Sequence, residues 1–572
     1  MSRSFLQSSL LAATLLITAC NGEPVEETTT SQSTRPSEKL MVLVVVDQMV
    51  PFQLERLEPW LDGGFGRFLQ EGQVWKNAEH AHGVTQTGPG HATIATGLVP
   101  ARHGVIANSW RDLEGKEWNC VTDPNVKTLT SDGASDKGRP ASGWRLRAAG
   151  ISDHVRAAYP DSISVGISGK DRAAILGSAG ADWALWWDTE GHGFVSSTAF
   201  GDELPSWIGD WNREWWKRNS WDAERREDGS VVWEDRLPSG IDDAGTAADA
   251  RAGEDKFFGK TTFPHTSPSV SAQPNEGELA AFAAWIKHSP AVDQYVIDLA
   301  VSAVENMGLG SDDSPDVLML GLSACDVLGH TFGPRSREVT DVLLRTDQAL
   351  GRLFDVLDAR VGADQWIGVL TSDHGVLELP EATHARGLGG TRLKTSRFHE
   401  PGAKVAEILD VEFAKGLVQH VDTTGIRLSP RRIRDAGLTG ATVRQRAREL
   451  FLAHSDVLYR AFTSDELSAP GSLQSEDDLL RWMAASFYPG RSPDVVFVHQ
   501  PHQIPWATGT THGSPWAYDR SVPLIFLGDG SPAETRNEPA QTVDVLPTFL
   551  SRAGIDVPAG LDGRVLPPGA KP

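Results

Sequence analysis

Short runs of hydrophobic residues recur along the chain and predict the strands of a sheet. The first, LMVLVVV at Leu40–Val46, is rich in β-branched residues and contains no polar position. Four further, mostly apolar runs lie at 316–321, 366–370, 495–498 and 522–527. Strands without alternating polar positions are typical of a parallel sheet that is covered on both faces.

Helical patterns lie between these runs. One of them places small or apolar residues three or four positions apart at Val342, Thr346, Ala349, Leu350, Leu353 and Leu357. Alternating strands and helices predict an α/β fold with a mostly parallel central sheet flanked by helices. Ligands of such sheets bind beyond the carboxyl ends of the strands, and Asp47, Asp326 and Asp373 lie at or just after three of these ends.

A tryptophan-rich stretch interrupts this pattern between about 180 and 225. Its indoles are Trp183, Trp186, Trp187, Trp207, Trp211, Trp215, Trp216 and Trp221. We interpret the stretch as part of an insertion outside the sheet, at roughly 180–300. Packing of the rings onto the main domain is the favoured explanation, and an aromatic rim that contacts substrate is the alternative.

The amino terminus has the pattern of an export signal. Arg3 precedes an apolar run of about eight residues, too short to span a bilayer, which needs roughly 20. The sequence Ile-Thr-Ala-Cys20 resembles a bacterial lipoprotein cleavage box, so we expect a signal peptide at 1–19 and a lipid on Cys20. Polar residues at 20–39 predict a flexible tether before a catalytic domain at 40–569. These features indicate the periplasm or outer membrane of a bacterium.

Composition narrows the classes of partner. The 572 residues carry a formal net charge of −23, which disfavours nucleic acid, because the surface would repel phosphate backbones. An anionic substrate would need a local positive site, which bound metal ions can provide. Beyond Cys20 the chain has Cys120 and Cys325, too few for a disulfide framework, and the sequence leaves open whether they pair.

The segment VTQTGPGHATIATG at 84–97 is the strongest local motif. Its Gly-Pro-Gly predicts a tight turn, with a helix starting near His91. A hydroxyl at such a turn lies close to backbone N–H groups and to a positive helix end, where phosphate binds. Taken alone, this motif is weak evidence, because the same sequence often forms only a turn.

Several residues at or near the predicted strand ends could hold a metal. Asp326 and His330 are four positions apart, so a helix would place both on one face. Asp373 and His374 are adjacent after a strand, Asp47 ends the first strand, and His512 lies in a late loop. Carboxylate oxygen and imidazole nitrogen are the ligands that zinc accepts when thiolates are absent.

Together these motifs resemble the alkaline phosphatase superfamily, and specifically its bacterial periplasmic phosphatases with a threonine nucleophile. The resemblance covers most of the chain, from VVVDQM to THGSPWAYDRSVPLIFLG. It implies an alkaline phosphatase-like fold and two Zn²⁺ ions per chain. One zinc would be held by Asp47, Thr87, Asp373 and His374, and the other by Asp326, His330 and His512.

The resemblance also implies the groups that act on the substrate. Thr87 would be the nucleophile, Asn108 would contact a phosphoryl oxygen, and Lys170 with Arg172 would match the Lys-x-Arg pair of the monoesterase branch. Two zinc ions and this pair leave the site with a positive charge that suits a monoester dianion. Residues two apart share one side of an extended segment, which would let both cations reach the phosphoryl group.

The expected function is therefore hydrolysis of small phosphate monoesters through a phosphothreonine, by a protein we expect to be a monomer. A phosphodiesterase or nucleotide pyrophosphatase on the same fold is the nearest alternative, and a non-catalytic ligand-binding lipoprotein is the second. Thr85 is a rival nucleophile. Structural or supporting roles are expected for the remaining histidines of this region, which are His80, His82, His91 and His103.

Overall fold

The computed structural model describes residues 38–568 except 220, 222, 243, 244 and 529. The predicted signal peptide, Cys20 and most of the tether lie outside the described residues. The strands are β1 Leu40–Val46, β2 Gln73–Glu79, β3 Ser109–Arg111, β4 Glu117–Asn119, β5 Thr128–Thr130, β6 Gly133–Ser135, β7 Ser164–Ser168, β8 Trp183–Trp187, β9 Phe194–Ser197, β10 Glu224–Arg225, β11 Val231–Trp233, β12 His265–Thr266, β13 Asp316–Leu322, β14 Trp366–Thr371, β15 Thr391–Arg392, β16 Val418–Val421, β17 Gly425–Leu428, β18 Leu458–Thr463, β19 Val495–His499, β20 Gln503–Ile504, β21 Leu524–Leu527 and β22 Glu534–Gln541.

The α-helices are α1 Pro51–Leu57, α2 Gly64–Glu71, α3 Thr87–Thr96, α4 Pro100–His103, α5 Ile151–Ala158, α6 Asp171–Gly177, α7 Ser206–Asn212, α8 Glu276–Lys287, α9 Ala291–Met307, α10 Ala324–Phe332, α11 Arg337–Leu357, α12 Pro380–Ala385, α13 Ser396–Glu412, α14 Pro430–Asp435, α15 Gly440–His454, α16 Ser464–Leu467, α17 Asp478–Ala485, α18 Ala517–Arg520 and α19 Val545–Arg552. No helix among the described residues has both the length and the apolar content to cross a membrane.

A parallel core of five strands, in the order β14-β1-β13-β7-β8, forms the centre of the main sheet. Strands β1, β13 and β14 are buried along their whole length, as their uninterrupted apolar runs predict. One apolar core lies on each face of the sheet: α9 and α11 contribute to the first, and α19 to the second. The predicted α/β architecture is therefore confirmed.

Two of the predicted strands take other positions. Strand β21 pairs antiparallel with β14, and β19 belongs to a separate antiparallel sheet in the order β16-β17-β19-β18. This second sheet packs on α13 and α15 around a core of its own. The periodicity of a short apolar run indicates burial, but it does not identify the sheet to which the strand belongs.

The tryptophan-rich stretch lies partly inside the main sheet. Strands β8 and β9 continue the sheet beyond β7, so the expectation that this stretch lies outside the sheet is wrong for these two segments. Four of the indoles, Trp187, Trp211, Trp215 and Trp221, are buried in one apolar core, and the half-buried Trp183, Trp207 and Trp216 pack against it, while Trp186 is buried in another core. The rings therefore serve packing, while the limits of the insertion stay a prediction.

Candidate active site

Four neighbouring parallel strands carry the site at one edge of the sheet. Their pairing registers align the carboxyl ends of β14, β1, β13 and β7. Asp373 and His374 follow β14, Asp47 follows β1, Asp326 follows β13 and Lys170 follows β7. The sequence positions alone are far apart, and the strand order brings the side chains together.

Helix α3 presents Thr87 to this edge. The helix begins at Thr87 itself, so Gly88, Pro89 and Gly90 form its first turn, and the predicted start near His91 is wrong. Proline is well tolerated in a first turn, because its missing N–H would have no helical partner there. A Cβ on Gly90 would lie 2.0 Å from the Asp373 carbonyl oxygen, so only glycine lets the helix approach that loop.

The Thr87 hydroxyl faces a cation. Arg172 Nη2 lies 3.4 Å from Thr87 Oγ1, and Asn108 Oδ1 accepts a 2.7 Å hydrogen bond from the Gly88 N–H. The hydroxyl of the rival Thr85 donates instead to the Ser514 carbonyl at 2.9 Å. Of the two candidate nucleophiles, Thr87 is therefore the one beside an anion-binding group.

Asp326, His330 and His512 form a first metal-type group. Asp326 Oδ1 lies 3.2 Å from His330 Nε2 and 3.6 Å from His512 Nε2. Each imidazole donates its Nδ1–H to a backbone carbonyl, that of Thr510 for His330 and that of Thr85 for His512. These bonds leave both Nε2 atoms directed at Asp326, an orientation typical of metal-binding histidines.

A second metal-type group brings together Asp47, Asp326 and His374. His374 Nε2 lies 3.3 Å from Asp47 Oδ1 and 3.4 Å from Asp373 Oδ2. Asp373 Oδ2 also lies 3.3 Å from His91 Nδ1. The geometry therefore brings together the six predicted carboxylate and imidazole ligands, but it places Asp326 between the two groups rather than in one alone.

These residues fit a pair of divalent cations. Asp47 Oδ1, Asp373 Oδ2 and His374 Nε2 are buried and have no hydrogen-bond partner among the described residues. Buried polar atoms without partners are costly, and a metal ion would satisfy all three. The donors are oxygen and imidazole nitrogen, which zinc accepts.

Lys170 lies between the two groups. Its Nζ donates to Asp47 Oδ2 at 2.5 Å and to Asp326 Oδ2 at 2.6 Å. Burial alone would lower the pKa of Lys170, but the two carboxylates raise it above its ordinary value. Lys170 caps α6 and Arg172 lies in its first turn, so the two cations straddle a helix start and the predicted extended segment is wrong.

The electrostatic environment keeps two imidazoles neutral. Burial lowers the pKa of His374 below its ordinary value, and burial and the neighbouring imidazoles do the same to His512. Lys170 and His330 hold the pKa of Asp326 well below its usual range despite burial. Neutral imidazoles and ionised carboxylates are the forms that coordinate metals.

Gln48 is a site residue that sequence reasoning missed. Its Nε2 donates to Asp326 Oδ1 at 2.8 Å, and its backbone N–H donates to Asp373 Oδ1 at 3.2 Å. It is buried and has a φ of 69°, an uncommon conformation for a residue other than glycine. A single glutamine after Asp47 carries no sequence signal of this role.

Asp293 was missed as well. From α9 its Oδ1 accepts hydrogen bonds from the N–H groups of Ser323 at 2.7 Å and of Ala324 at 3.1 Å, at the start of α10. This helix carries Asp326 and His330, so Asp293 fixes the position of two metal-type residues without contacting them. The acceptor lies 33 positions before Asp326, too far for a local capping motif.

The remaining predicted residues occupy supporting positions. His80 contacts Ser372 and Thr542, and His103 contacts Thr93. His82 is fully buried and makes no hydrogen bond within the described part of the chain. Cys120 and Cys325 are both buried and free, so they do not pair.

Comparison with known proteins agrees with this geometry. The sequence model of the family "Type I phosphodiesterase / nucleotide pyrophosphatase" matches residues 41–162 and 186–508. Alkaline phosphatase PhoK of Sphingomonas sp is 31% identical, over 92% of this chain and 90% of that protein. Alkaline phosphatase PafA of Elizabethkingia meningoseptica is 29% identical, over 92% of this chain and 94% of that protein.

A solved structure extends the comparison to the fold. The crystal structure of wild-type alkaline phosphatase PafA superposes with a TM-score of 0.80 at 26% identity, over 94% of this chain and 99% of that one. The chain therefore belongs to the type I phosphodiesterase/nucleotide pyrophosphatase family, and is a phosphatase of the alkaline phosphatase superfamily.

Proposed function

We propose that this protein is an exported phosphate monoesterase that works through a phosphothreonine at a two-zinc site. The observation that carries the proposal is the Thr87 hydroxyl beside Arg172 at the start of α3, a helix whose Gly90 and His91 lie against Asp373, next to the two groups of carboxylates and imidazoles. A helix start and a guanidinium both favour the anionic phosphoryl group.

Two Zn²⁺ ions would be held by the two metal-type groups, with Thr87 a further ligand, and would supply positive charge for the attacking and leaving oxygens. The protein's own residues perform the positioning. Thr87 is fixed by the first turn of α3, and Asn108 and Arg172 flank it. Lys170 Nζ donates to two carboxylates and could turn one donor toward a phosphoryl oxygen.

The reaction then has two displacements at phosphorus. Thr87 Oγ loses its proton and forms a bond to phosphorus, while the bond between phosphorus and the ester oxygen breaks. The electron pair of the broken bond leaves with the ester oxygen, which gains a proton and departs as the alcohol. Water next attacks the phosphothreonine, and the bond between phosphorus and Thr87 Oγ breaks. Thr87 regains its proton and inorganic phosphate is released.

The preference for monoesters rests on the cationic pair. A monoester dianion has three terminal oxygens for Lys170 and Arg172, whereas a diester has one charge fewer and a second substituent. We expect kcat/KM of the zinc-loaded protein for p-nitrophenyl phosphate to exceed that for bis-p-nitrophenyl phosphate by orders of magnitude. Arg172→Ala should reduce the monoester rate about 100-fold and the diester rate far less.

The family match includes phosphodiesterases, and this makes the diesterase the second candidate. A wild-type preference for the diester would assign the protein to that activity and leave Thr87 as the nucleophile. Equal losses on both substrates in Arg172→Ala would contradict the dianion role. Arg431→Ala, which removes an exposed arginine paired with Asp435, is the matched control.

We propose in addition that residues 1–19 direct export and that Cys20 carries a lipid, in the periplasm or outer membrane. The support is the sequence ITAC and the polar tether that follows it. In a bacterial host we expect the wild type in the membrane fraction and Cys20→Ser in the soluble periplasmic fraction. Identical fractionation of the two proteins would contradict the lipid anchor.

A further inference from the structure

A cavity of about 560 Å³ opens beside the candidate active site. Gln86, Asn108 and His512 line it at the end next to Thr87, and the loops and strands of the second sheet form much of its opposite wall. Its volume lies within the range of small-molecule sites, roughly 300–1,000 Å³. The proposed monoesterase chemistry does not itself require so large a space.

The position of the cavity corresponds to the leaving side of the reaction. In-line attack places the leaving oxygen opposite Thr87 Oγ, and Thr87 is not part of the cavity wall. His512 is in the wall, and so is Trp506, whose ring centroid lies 5.6 Å from that of His330. An alcohol that leaves on the side of these two histidines would therefore enter the cavity.

Arg491 supplies an unpaired positive charge in the wall. Its guanidinium lies over Trp110, 5.2 Å from the ring centroid, and its Nη1 donates to the carbonyls of Gly104 and Arg145. No ion pair of Arg491 occurs in the part of the chain that the structure describes. Burial lowers the pKa of Arg491 to about 10, so the group still carries its charge at neutral pH.

The other charged groups of the wall already have partners. Arg111 pairs with Glu117 at 2.7 Å, and Asp422 pairs with His420 at 3.2 Å. Asp519 accepts hydrogen bonds from Ser514. Arg427 donates to two backbone carbonyls, those of Arg491 and Ser492, and a nearby carboxylate, Asp494, partly offsets its charge.

We propose that this cavity binds the leaving group of the substrate, and that Arg491 binds a second anionic group carried by that leaving group. The inference rests on the proposed monoesterase function and adds a substrate class to it. The favoured substrates are phosphate monoesters of alcohols that bear a carboxylate or another anion at their far end. An uncompensated guanidinium in an acidic protein is the feature that selects them.

The test uses two substrates that differ only in the distant charge. Sorbitol 6-phosphate and 6-phosphogluconate share the reacting primary ester, and the second carries a carboxylate where the first has a hydroxymethyl group. For the wild type we expect kcat/KM to be about tenfold higher for 6-phosphogluconate, mainly through a lower KM. A ratio near one in the wild type overturns the inference, whatever the variants do.

Variants at Arg491 locate the effect. Arg491→Gln should bring the ratio close to one, mainly by lowering kcat/KM for 6-phosphogluconate, and Arg491→Lys should keep part of the preference. The exposed Arg431→Gln is the control and should keep the full ratio. An unchanged ratio in Arg491→Gln would also overturn the inference. Failure of the proposed function itself is distinguishable, because neither substrate nor p-nitrophenyl phosphate would then be hydrolysed.

Discussion

At the scale of single residues, Gln48 links the two metal-type groups. It donates one hydrogen bond to Asp326 and one to Asp373. Gly329 makes room for it, because a Cβ there would lie 1.9 Å from Gln48 Oε1. A left-handed backbone at a non-glycine residue persists only where the surroundings fix it, and here the two carboxylates do so.

Replacing Gln48 by alanine should weaken metal binding. The change removes the hydrogen bond to Asp326, and losses of supporting bonds of this kind typically reduce metal affinity 10–100-fold. The measurement is a competition titration of Zn²⁺ against a chelator, followed by the metal content of the dialysed protein. Gln474→Ala removes an exposed glutamine and should leave both values unchanged. Wild-type zinc affinity in Gln48→Ala would show that this link is dispensable.

Part of the candidate site could be predicted from the sequence residue by residue. Residue types and spacings identified every member of the two metal-type groups, because carboxylates and imidazoles at strand ends are visible in the sequence. They did not predict that Lys170 would lie between Asp47 and Asp326, since the reach of a flexible side chain depends on the final packing. The same limit applies to Gln48.

At the scale of elements, buried ionisable groups lie where the helices pack on one another. Glu338, in the first turn of α11, lies 3.1 Å from His265 of β12. Aromatic rings surround the histidine, among them Trp233 and Phe263. Burial raises the pKa of Glu338 to about 8 and lowers that of His265 to about 4, so both groups are neutral near pH 7.

This pair predicts a pH dependence of stability. A carboxyl whose folded pKa is raised contributes stability that is fully present below its unfolded pKa and is lost as pH rises through about 8. The gain in Tm of Glu338→Gln over the wild type should therefore be larger at pH 9 than at pH 6.5, because Glu338 ionises over this window while His265 stays neutral. Calorimetry at the two pH values measures this difference. The exposed Glu276→Gln should show no such gain, and its absence in Glu338→Gln would contradict the assignment.

Element boundaries show where sequence patterns reach their limit. The Gly-Pro-Gly of segment 84–97 predicts a turn, yet it forms the first turn of α3. Glycine at position 90 allows the close approach of this turn to Asp373. That contact is tertiary, so the local sequence does not reveal it.

At the scale of the whole molecule, the order of the strands determines the site. The α/β class and strand β1 follow from apolar periodicity, and β13 and β14 were predicted to within one residue. Apolar periodicity did not predict the separate sheet of β16 to β19 or the placement of β8 and β9 in the main sheet, because the pairing partners of a strand lie far away in the sequence. The cavity beside Asn108 and His512 depends on that second sheet and was invisible in the sequence.

The most direct test of the account is to identify the residue that becomes phosphorylated during turnover. The zinc-loaded protein would be mixed with p-nitrophenyl phosphate, quenched within milliseconds and digested, and the peptide that contains residues 84–97 analysed by mass spectrometry. The account predicts phosphate on Thr87, its loss together with activity in Thr87→Ala, and its persistence in Thr85→Ala. Phosphate on another residue, or wild-type turnover by Thr87→Ala, would contradict it.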